Sequence, residues 1–77
     1  MRYVAYYDIE SDDAQIPFTA KNEEEAIRMA QTEVLEGFRE RLKDGHPHLA
    51  GKEIVLRKIM RKPRIGPFDK GTQIFPK

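Results

Sequence analysis

The sequence predicts a single α+β domain, a two-layer sandwich with one long helix on one face of an antiparallel sheet of three to four strands. Two short stretches of alternating apolar residues open the chain. A long stretch with apolar residues every three or four positions follows, and then a third short apolar stretch. This order, ββαβ with an optional fourth strand, is typical of a helix packed on an antiparallel sheet. We expect the domain to span residues 1–62, followed by a Pro- and Gly-containing tail over 63–77.

The first two strands are predicted to form a hairpin. Residues 2–9 are rich in Tyr and Val, which suit strands, and residues 15–20 follow after a polar turn over 10–13. Pro17 cannot donate a ladder hydrogen bond, so we expect either an edge strand or a Pro17 nitrogen that faces outward. The alternation of the first strand predicts one face made of Tyr3, Ala5, Tyr7 and Ile9.

One helix is predicted between the second and third strands. Asn22 is a suitable N-cap, and Glu25 follows at the spacing of a capping box. Gly37 is a weak point that costs about 1 kcal/mol relative to Ala if it is mid-helix. Gly45 and Pro47 predict the end. The helix has one apolar stripe: Ala26, Ile27, Ala30, Val34, Phe38 and Leu42.

The last part of the chain predicts a third strand over residues 52–60. Its alternation is imperfect, and a β-bulge near Arg57 and Lys58 would reconcile it. Residues 72–75 are expected to form either a short fourth strand or a loose tail that orders on a partner.

The charge is divided along the chain. Residues 1–50 carry six Lys/Arg and eleven Asp/Glu, a net charge of −5, whereas residues 51–77 carry eight and two, a net charge of +6. This division predicts either an anionic partner for the basic part or pairing of the two parts within the fold.

Composition excludes several classes of site. The chain has no cysteine, which rules out disulfides, thiolate zinc sites and cysteine nucleophiles. Its N-terminal apolar run is too short for a signal peptide, and no stretch is long enough for a membrane span. We therefore expect a cytoplasmic protein without a membrane partner.

The stretch Phe18-Thr19-Ala20-Lys21-Asn22-Glu23-Glu24-Glu25-Ala26-Ile27, with Tyr3-Val4 upstream, resembles the small DpnD/PcfM-like proteins of phages and mobile elements. The resemblance is confined to the N-terminal part and does not extend beyond Val34. It implies a small accessory protein of a mobile element and does not imply a reaction.

Two motifs are candidates for catalytic or metal sites. Asp8-Ile9-Glu10 resembles the first metal-binding motif of proofreading exonucleases, but two-metal chemistry needs further carboxylates from separate segments. His46-Pro47-His48 offers two ligands where a stable zinc site needs three or four. We interpret them as a solvated acidic turn and a polar loop, and we predict a non-enzymatic protein with no catalytic residue, metal or cofactor.

A basic stretch is the candidate nucleic-acid site. Lys and Arg bind phosphates by charge, and aromatic rings downstream can stack on unpaired bases. On a regular strand, Arg57 and Arg61 would face one way and Lys58 and Lys62 the other, which would divide the site. The candidate residues are Arg57, Lys58, Arg61, Lys62 and Arg64.

An acidic helix face is the candidate protein-binding site. Such a face can dock on a basic partner, with exposed aromatic rings as anchors. We rank an unknown protein partner first, nucleic acid second and enzymatic activity third, and an edge strand would also allow a homodimer. The candidate protein-binding residues are Glu33, Glu36, Glu40, Phe68 and Phe75.

Overall fold

In the part of the chain that the structure describes, four antiparallel strands form one sheet, and two helical segments lie across one of its faces. The computed structural model describes residues 1–62 and 71–76. The strand order is β2-β1-β3-β4, and every neighbouring pair is antiparallel. The predicted two-layer α+β sandwich is therefore confirmed. The elements are β1 (Arg2–Ile9), β2 (Asp12–Thr19), α1 (Glu23–Gln31), α2 (Glu33–Gly45), β3 (Ile54–Lys62) and β4 (Thr72–Phe75).

The hairpin between β1 and β2 is tighter than predicted. Ile9 pairs with Asp12, so only Glu10 and Ser11 form the turn. Glu10 has a φ of 54°, and a positive φ in a two-residue turn matches the twist of the strands it joins. The prediction that Asp12 and Asp13 lie in the turn is wrong, because the chain reverses within two residues and both belong to β2.

Strand β2 lies at an edge of the sheet, as Pro17 predicted. Met1 and Ala20 exchange two hydrogen bonds, of 3.0 and 3.1 Å, and hydrogen-bonded pairs alternate along an antiparallel ladder. Pro17 pairs with Val4, three positions along the ladder from the hydrogen-bonded pair of Met1 and Ala20. By this alternation, the pair of Pro17 and Val4 is a non-hydrogen-bonded one. The Pro17 nitrogen therefore faces the exposed edge, where its lack of a hydrogen breaks the row of donors.

The helix begins as predicted but is bent. The Asn22 side chain accepts a hydrogen bond of 2.8 Å from the backbone N–H of Glu25, which confirms the N-cap. At Thr32 the backbone leaves helical geometry, with φ −127° and ψ −91°, and the helix divides into α1 and α2. The Thr32 hydroxyl donates to the Arg28 carbonyl at 2.8 Å. The helix continues through Gly37, so the interruption lies at Thr32 and not at the predicted weak point.

Strand β3 contains the predicted bulge. Tyr6 of β1 pairs with Lys58, whereas its neighbour Tyr7 pairs with Leu56, so Arg57 is the extra residue. A bulge resets the alternation of side chains along its strand. As a result Leu56 and Ile59 both face the helices, although a regular strand would put them on opposite faces.

Residues 72–75 form the fourth strand that the sequence offered as one of two options. β4 pairs with β3, and Ile74 is buried in the core. Gly71, directly before β4, has a φ of 83°, and a Cβ at this position would lie 2.6 Å from the carbonyl oxygen of Arg61. Only glycine fits this approach. The rest of the predicted tail, residues 63–70 and 77, lies outside the described residues.

The core lies between the sheet and the helices. All four residues of the predicted face of β1 are buried. Two aromatic pairs stack within it: Tyr3 on Phe18, with ring centroids 5.7 Å apart, and Tyr7 on Phe38, at 5.4 Å. The helices contribute four buried residues of the predicted apolar stripe to the core: Ala26, Ala30, Phe38 and Leu42.

The helices of the described residues are short. With nine and 13 residues, neither α1 nor α2 has the length and apolar character that crossing a membrane requires.

Candidate functional site: the open face of the sheet

The face of the sheet opposite the helices carries the candidate site, and we call it the open face. Because side chains alternate along a strand, residues between the buried positions of β1 point to it. Their register partners on β2 and β3 point the same way. The open face contains Arg2, Val4, Tyr6 and Asp8 on β1, Asp13, Gln15, Pro17 and Thr19 on β2, and Val55, Lys58, Met60 and Lys62 on β3.

The bulge changes how the predicted basic residues are distributed. The Arg57 guanidinium lies 3.8 Å from the Asp8 carboxylate, and Asp8 belongs to the open face. Arg57 therefore lies with Lys58 and Lys62, which corrects the predicted division of this stretch. Among the four described residues of the basic stretch, Arg61 alone is on the helix side, where its guanidinium lies 3.8 Å from the carboxylate of Glu23 at the start of α1.

The central feature of the open face is the contact between Tyr6 and Lys58. The two residues pair across β1 and β3, and the Lys58 ammonium lies 4.7 Å from the centroid of the Tyr6 ring. A cation at this distance is attracted by the electrons of the ring face. The site therefore combines an aromatic surface and a positive charge in one cross-strand pair.

A pair of like charges lies at one end of the open face. Arg2 and Lys62 are directly opposite each other in the register of β1 and β3. Within residues 1–62 and 71–76, neither forms an ion pair with a carboxylate. Like charges directly opposite across a ladder destabilise the sheet. An anion that contacts both side chains would relieve this repulsion, so this cationic end is a favourable position for one.

The other end of the open face is acidic. Asp8 and Asp13 are cross-strand partners beside the hairpin turn, and Arg57 neutralises part of their charge. The face thus changes from cationic to acidic along the strands, with Val4, Tyr6 and Met60 between the ends. An anionic ligand would be attracted to the cationic end and repelled near the turn.

The three acidic residues predicted for protein binding lie together on α2, but Phe75 does not join them as an exposed anchor. Glu33 pairs with Arg28 at 3.5 Å and Glu40 with Lys43 at 3.3 Å, whereas Glu36 has no ion pair with a described residue. Phe75 is partly buried against the core, so it is not the exposed tail anchor that we expected. Phe68 and Arg64 lie outside the described residues. A shallow groove on α2 is lined by Glu33, Glu36, Gly37, Arg39, Glu40 and Lys43.

The two motifs considered for catalysis are separate from each other and paired elsewhere. Asp8 contacts Arg57, and the Glu10 carboxylate lies 3.2 Å from the Lys52 ammonium. The rings of His46 and His48 meet edge to face, with centroids 5.9 Å apart. Across the part of the chain that the structure describes, no three His, Asp or Glu side chains are grouped to hold a metal ion.

The site also contains three residues that were not predicted from the sequence: Arg2, Val4 and Met60. The period of two in the first strand puts Arg2 and Val4 on the same face as Tyr6, so this signal was present. The pairing of β1 with β3 was the missing information, because it brings Arg2 opposite Lys62. Adjacency of strands that are distant in the chain cannot be read from local patterns.

Comparison with known proteins finds no match, since no protein-family model, curated protein or solved structure is significantly similar to this chain. The resemblance to DpnD/PcfM-like proteins therefore stays a prediction.

Proposed function

We propose that this protein is a non-enzymatic binding module that holds nucleic acid against the cationic end of its open face. The observation that carries the proposal is the cross-strand pair of Arg2 and Lys62, two cations that face each other and form no ion pair with a carboxylate among the described residues. Lys58, on the same face of β3, supplies a third positive charge. Phosphate groups of a nucleic acid would bridge these cations and release condensed counterions, which favours binding.

The distribution of charge over the fold supports the same surface. Residues 23–45, which form the helices, carry seven Asp/Glu and four Lys/Arg, so the helix side is net negative. A polyanion is repelled from that side and attracted to the cationic end of the sheet. The net charge of the whole chain, +1, therefore underestimates the local attraction at the open face.

The experiment is a salt titration of binding to a labelled oligonucleotide, followed by fluorescence anisotropy. We expect Lys62→Gln and Arg2→Gln each to weaken binding and to reduce the slope of log K against log salt by about 0.7–0.9, the value for one lost phosphate contact. Lys43→Gln is the matched control, because it removes the same charge from the helix side, where Lys43 contacts Glu40. Absence of binding at about 50 mM salt would overturn the proposal, since phosphate contacts are strongest there.

A second candidate is protein binding through the helix side, which the sequence placed first. The shallow groove on α2 favours it, together with Glu36, the groove carboxylate without an ion-pair partner among the described residues. We place it second because Glu33 and Glu40 already form ion pairs with cations of the helix layer, Glu33 with Arg28 of α1 and Glu40 with Lys43 of α2. Either activity would suit an accessory protein of a phage or mobile element.

Charge reversal tests the second candidate. Glu36→Lys should abolish capture of a basic protein partner from cells that make this protein, whereas Lys62→Gln should leave the same capture unchanged. Capture that survives Glu36→Lys would argue against the groove as the docking site.

A further inference from the structure

We infer that Tyr6 is a base-stacking surface and that the ligand of the open face is a single-stranded nucleic acid. This inference rests on the proposed function and narrows it. It adds a role for an aromatic side chain and excludes duplex as the preferred ligand.

The position of Tyr6 supports a role beside the phosphate contacts. It lies four residues from Arg2 along β1, a separation of about 13 Å at the rise of a strand. Val4 and Met60 pair across β1 and β3, are both partly buried, and form an apolar strip between Arg2 and Tyr6. A single strand can follow this line, with phosphates at the cationic end, a sugar over the strip and a base on Tyr6.

The Lys58 ammonium lies over the face of the Tyr6 ring, but a base can displace it. The Lys58 ammonium lies 4.7 Å from the ring centroid and forms no ion pair with a described residue. An exposed cation–π contact is weaker than a stacked base. On binding, a base therefore replaces the Lys58 ammonium on the Tyr6 ring, and Lys58 contacts a phosphate instead. The contact between Tyr6 and Lys58 is lost, and two contacts with the ligand are gained.

A duplex fits this face poorly. Its bases are stacked inside, so Tyr6 would contribute nothing, and reading a duplex requires an element that enters a groove. The helices that could enter the major groove are net negative. The acidic end at Asp8 and Asp13 also limits the length of backbone that the face can accept.

Tyrosine fluorescence gives a direct readout of stacking. The chain has three Tyr and no Trp, and Tyr3 and Tyr7 are 1% and 0% exposed. Quenching by a ligand that stacks on the surface therefore reports on Tyr6. Tyr6→Leu removes the aromatic ring but keeps a large apolar side chain, whereas Tyr6→Phe keeps the ring. Comparison of the two variants therefore separates the effect of the ring from that of side-chain size.

The experiment measures binding of three probes at about 50 mM salt: an oligothymidylate of about eight nucleotides, a duplex of the same length and inorganic polyphosphate. Wild-type protein should bind the single strand more tightly than the duplex, with quenched tyrosine emission. Tyr6→Leu should weaken single-strand binding roughly tenfold or more and leave polyphosphate binding unchanged. Tyr6→Phe should bind like wild type. Circular dichroism checks that both variants fold.

The outcomes distinguish this inference from the proposed function. Equal binding of single strand and polyphosphate, with no effect of Tyr6→Leu, would overturn the stacking role and leave polyanion binding intact. Tighter binding of the duplex would overturn the single-strand preference. Failure of all three probes to bind would overturn the proposed function as well.

Discussion

The hydroxyl of Tyr7 donates a hydrogen bond of 2.5 Å to the backbone carbonyl oxygen of Ala30. The last four carbonyls of a helix lack partners within it, and Ala30 is in the last turn of α1. The centre of β1 is thereby joined to the helix next to the bend at Thr32. This contact holds the helix layer in place behind the strand that presents Tyr6 on the open face.

Removal of this hydroxyl should destabilise the protein. Tyr7→Phe leaves the Ala30 carbonyl without its donor in a site where Tyr7 is 0% exposed. We expect a loss of about 1–3 kcal/mol in the free energy of unfolding, measured by urea denaturation. Tyr6→Phe is the control and should change stability by less than about 0.5 kcal/mol. Equal stability of Tyr7→Phe and wild type would contradict the role of this hydrogen bond.

Stability should fall at alkaline pH. Burial raises the pKa of Tyr7 to about 12 and also raises the pKa of Tyr3, from an ordinary value of about 10. The unfolded chain therefore loses these protons at lower pH than the folded protein does. The stabilisation is fully present below about pH 10 and is lost progressively as the pH rises from there towards 12. Thermal melting across this range should show a flatter decline for Tyr7→Phe, and parallel curves would contradict the assignment.

The start of α1 depends on its cap. Asn22→Ala removes the acceptor of the Glu25 backbone N–H, and we expect a loss of about 1 kcal/mol in the free energy of unfolding. Asn22→Asp keeps an acceptor oxygen and should remain close to wild type. A loss in both variants would show that the amide group, and not the cap, is responsible.

Replacement of Pro17 should allow the exposed edge of β2 to pair with a second copy of the chain. Pro17→Thr restores a backbone N–H to the outward row of donors, and a continuous edge can pair with a second chain. We expect self-association that increases with protein concentration in sedimentation velocity experiments. Gln15→Thr changes a side chain on the same strand and face without adding a donor, and it should sediment like wild type. Identical behaviour of both variants would show that Pro17 does not protect this edge.

The fold was predictable where local chemistry decides it. The alternation from Tyr3 to Ile9, the Asn22 cap and the position of Pro17 each follow from the preferences of single residues and are confirmed. The imperfect alternation around Arg57 also predicted the bulge correctly. The bend at Thr32 was missed, because the residues around it are ordinary helix formers and tertiary contacts such as that of Tyr7 with Ala30 act at this point.

The candidate site was only half predictable. The basic residues of β3 stood out in the sequence, but their partners did not, because Arg2 becomes their neighbour only through the pairing of the first strand with the third. Phe75 was misjudged because an aromatic residue in a short final strand has the same local pattern whether it faces the core or solvent.

The most direct test of nucleic-acid binding at the open face is a map of backbone amide shifts during titration with an oligothymidylate at low salt. We predict saturable shifts at Val4, Tyr6, Lys58 and Met60 on the open face, with Glu36 and Glu40 on α2 unchanged. Shifts that cluster on α2 and leave β1 and β3 unaffected would contradict this prediction.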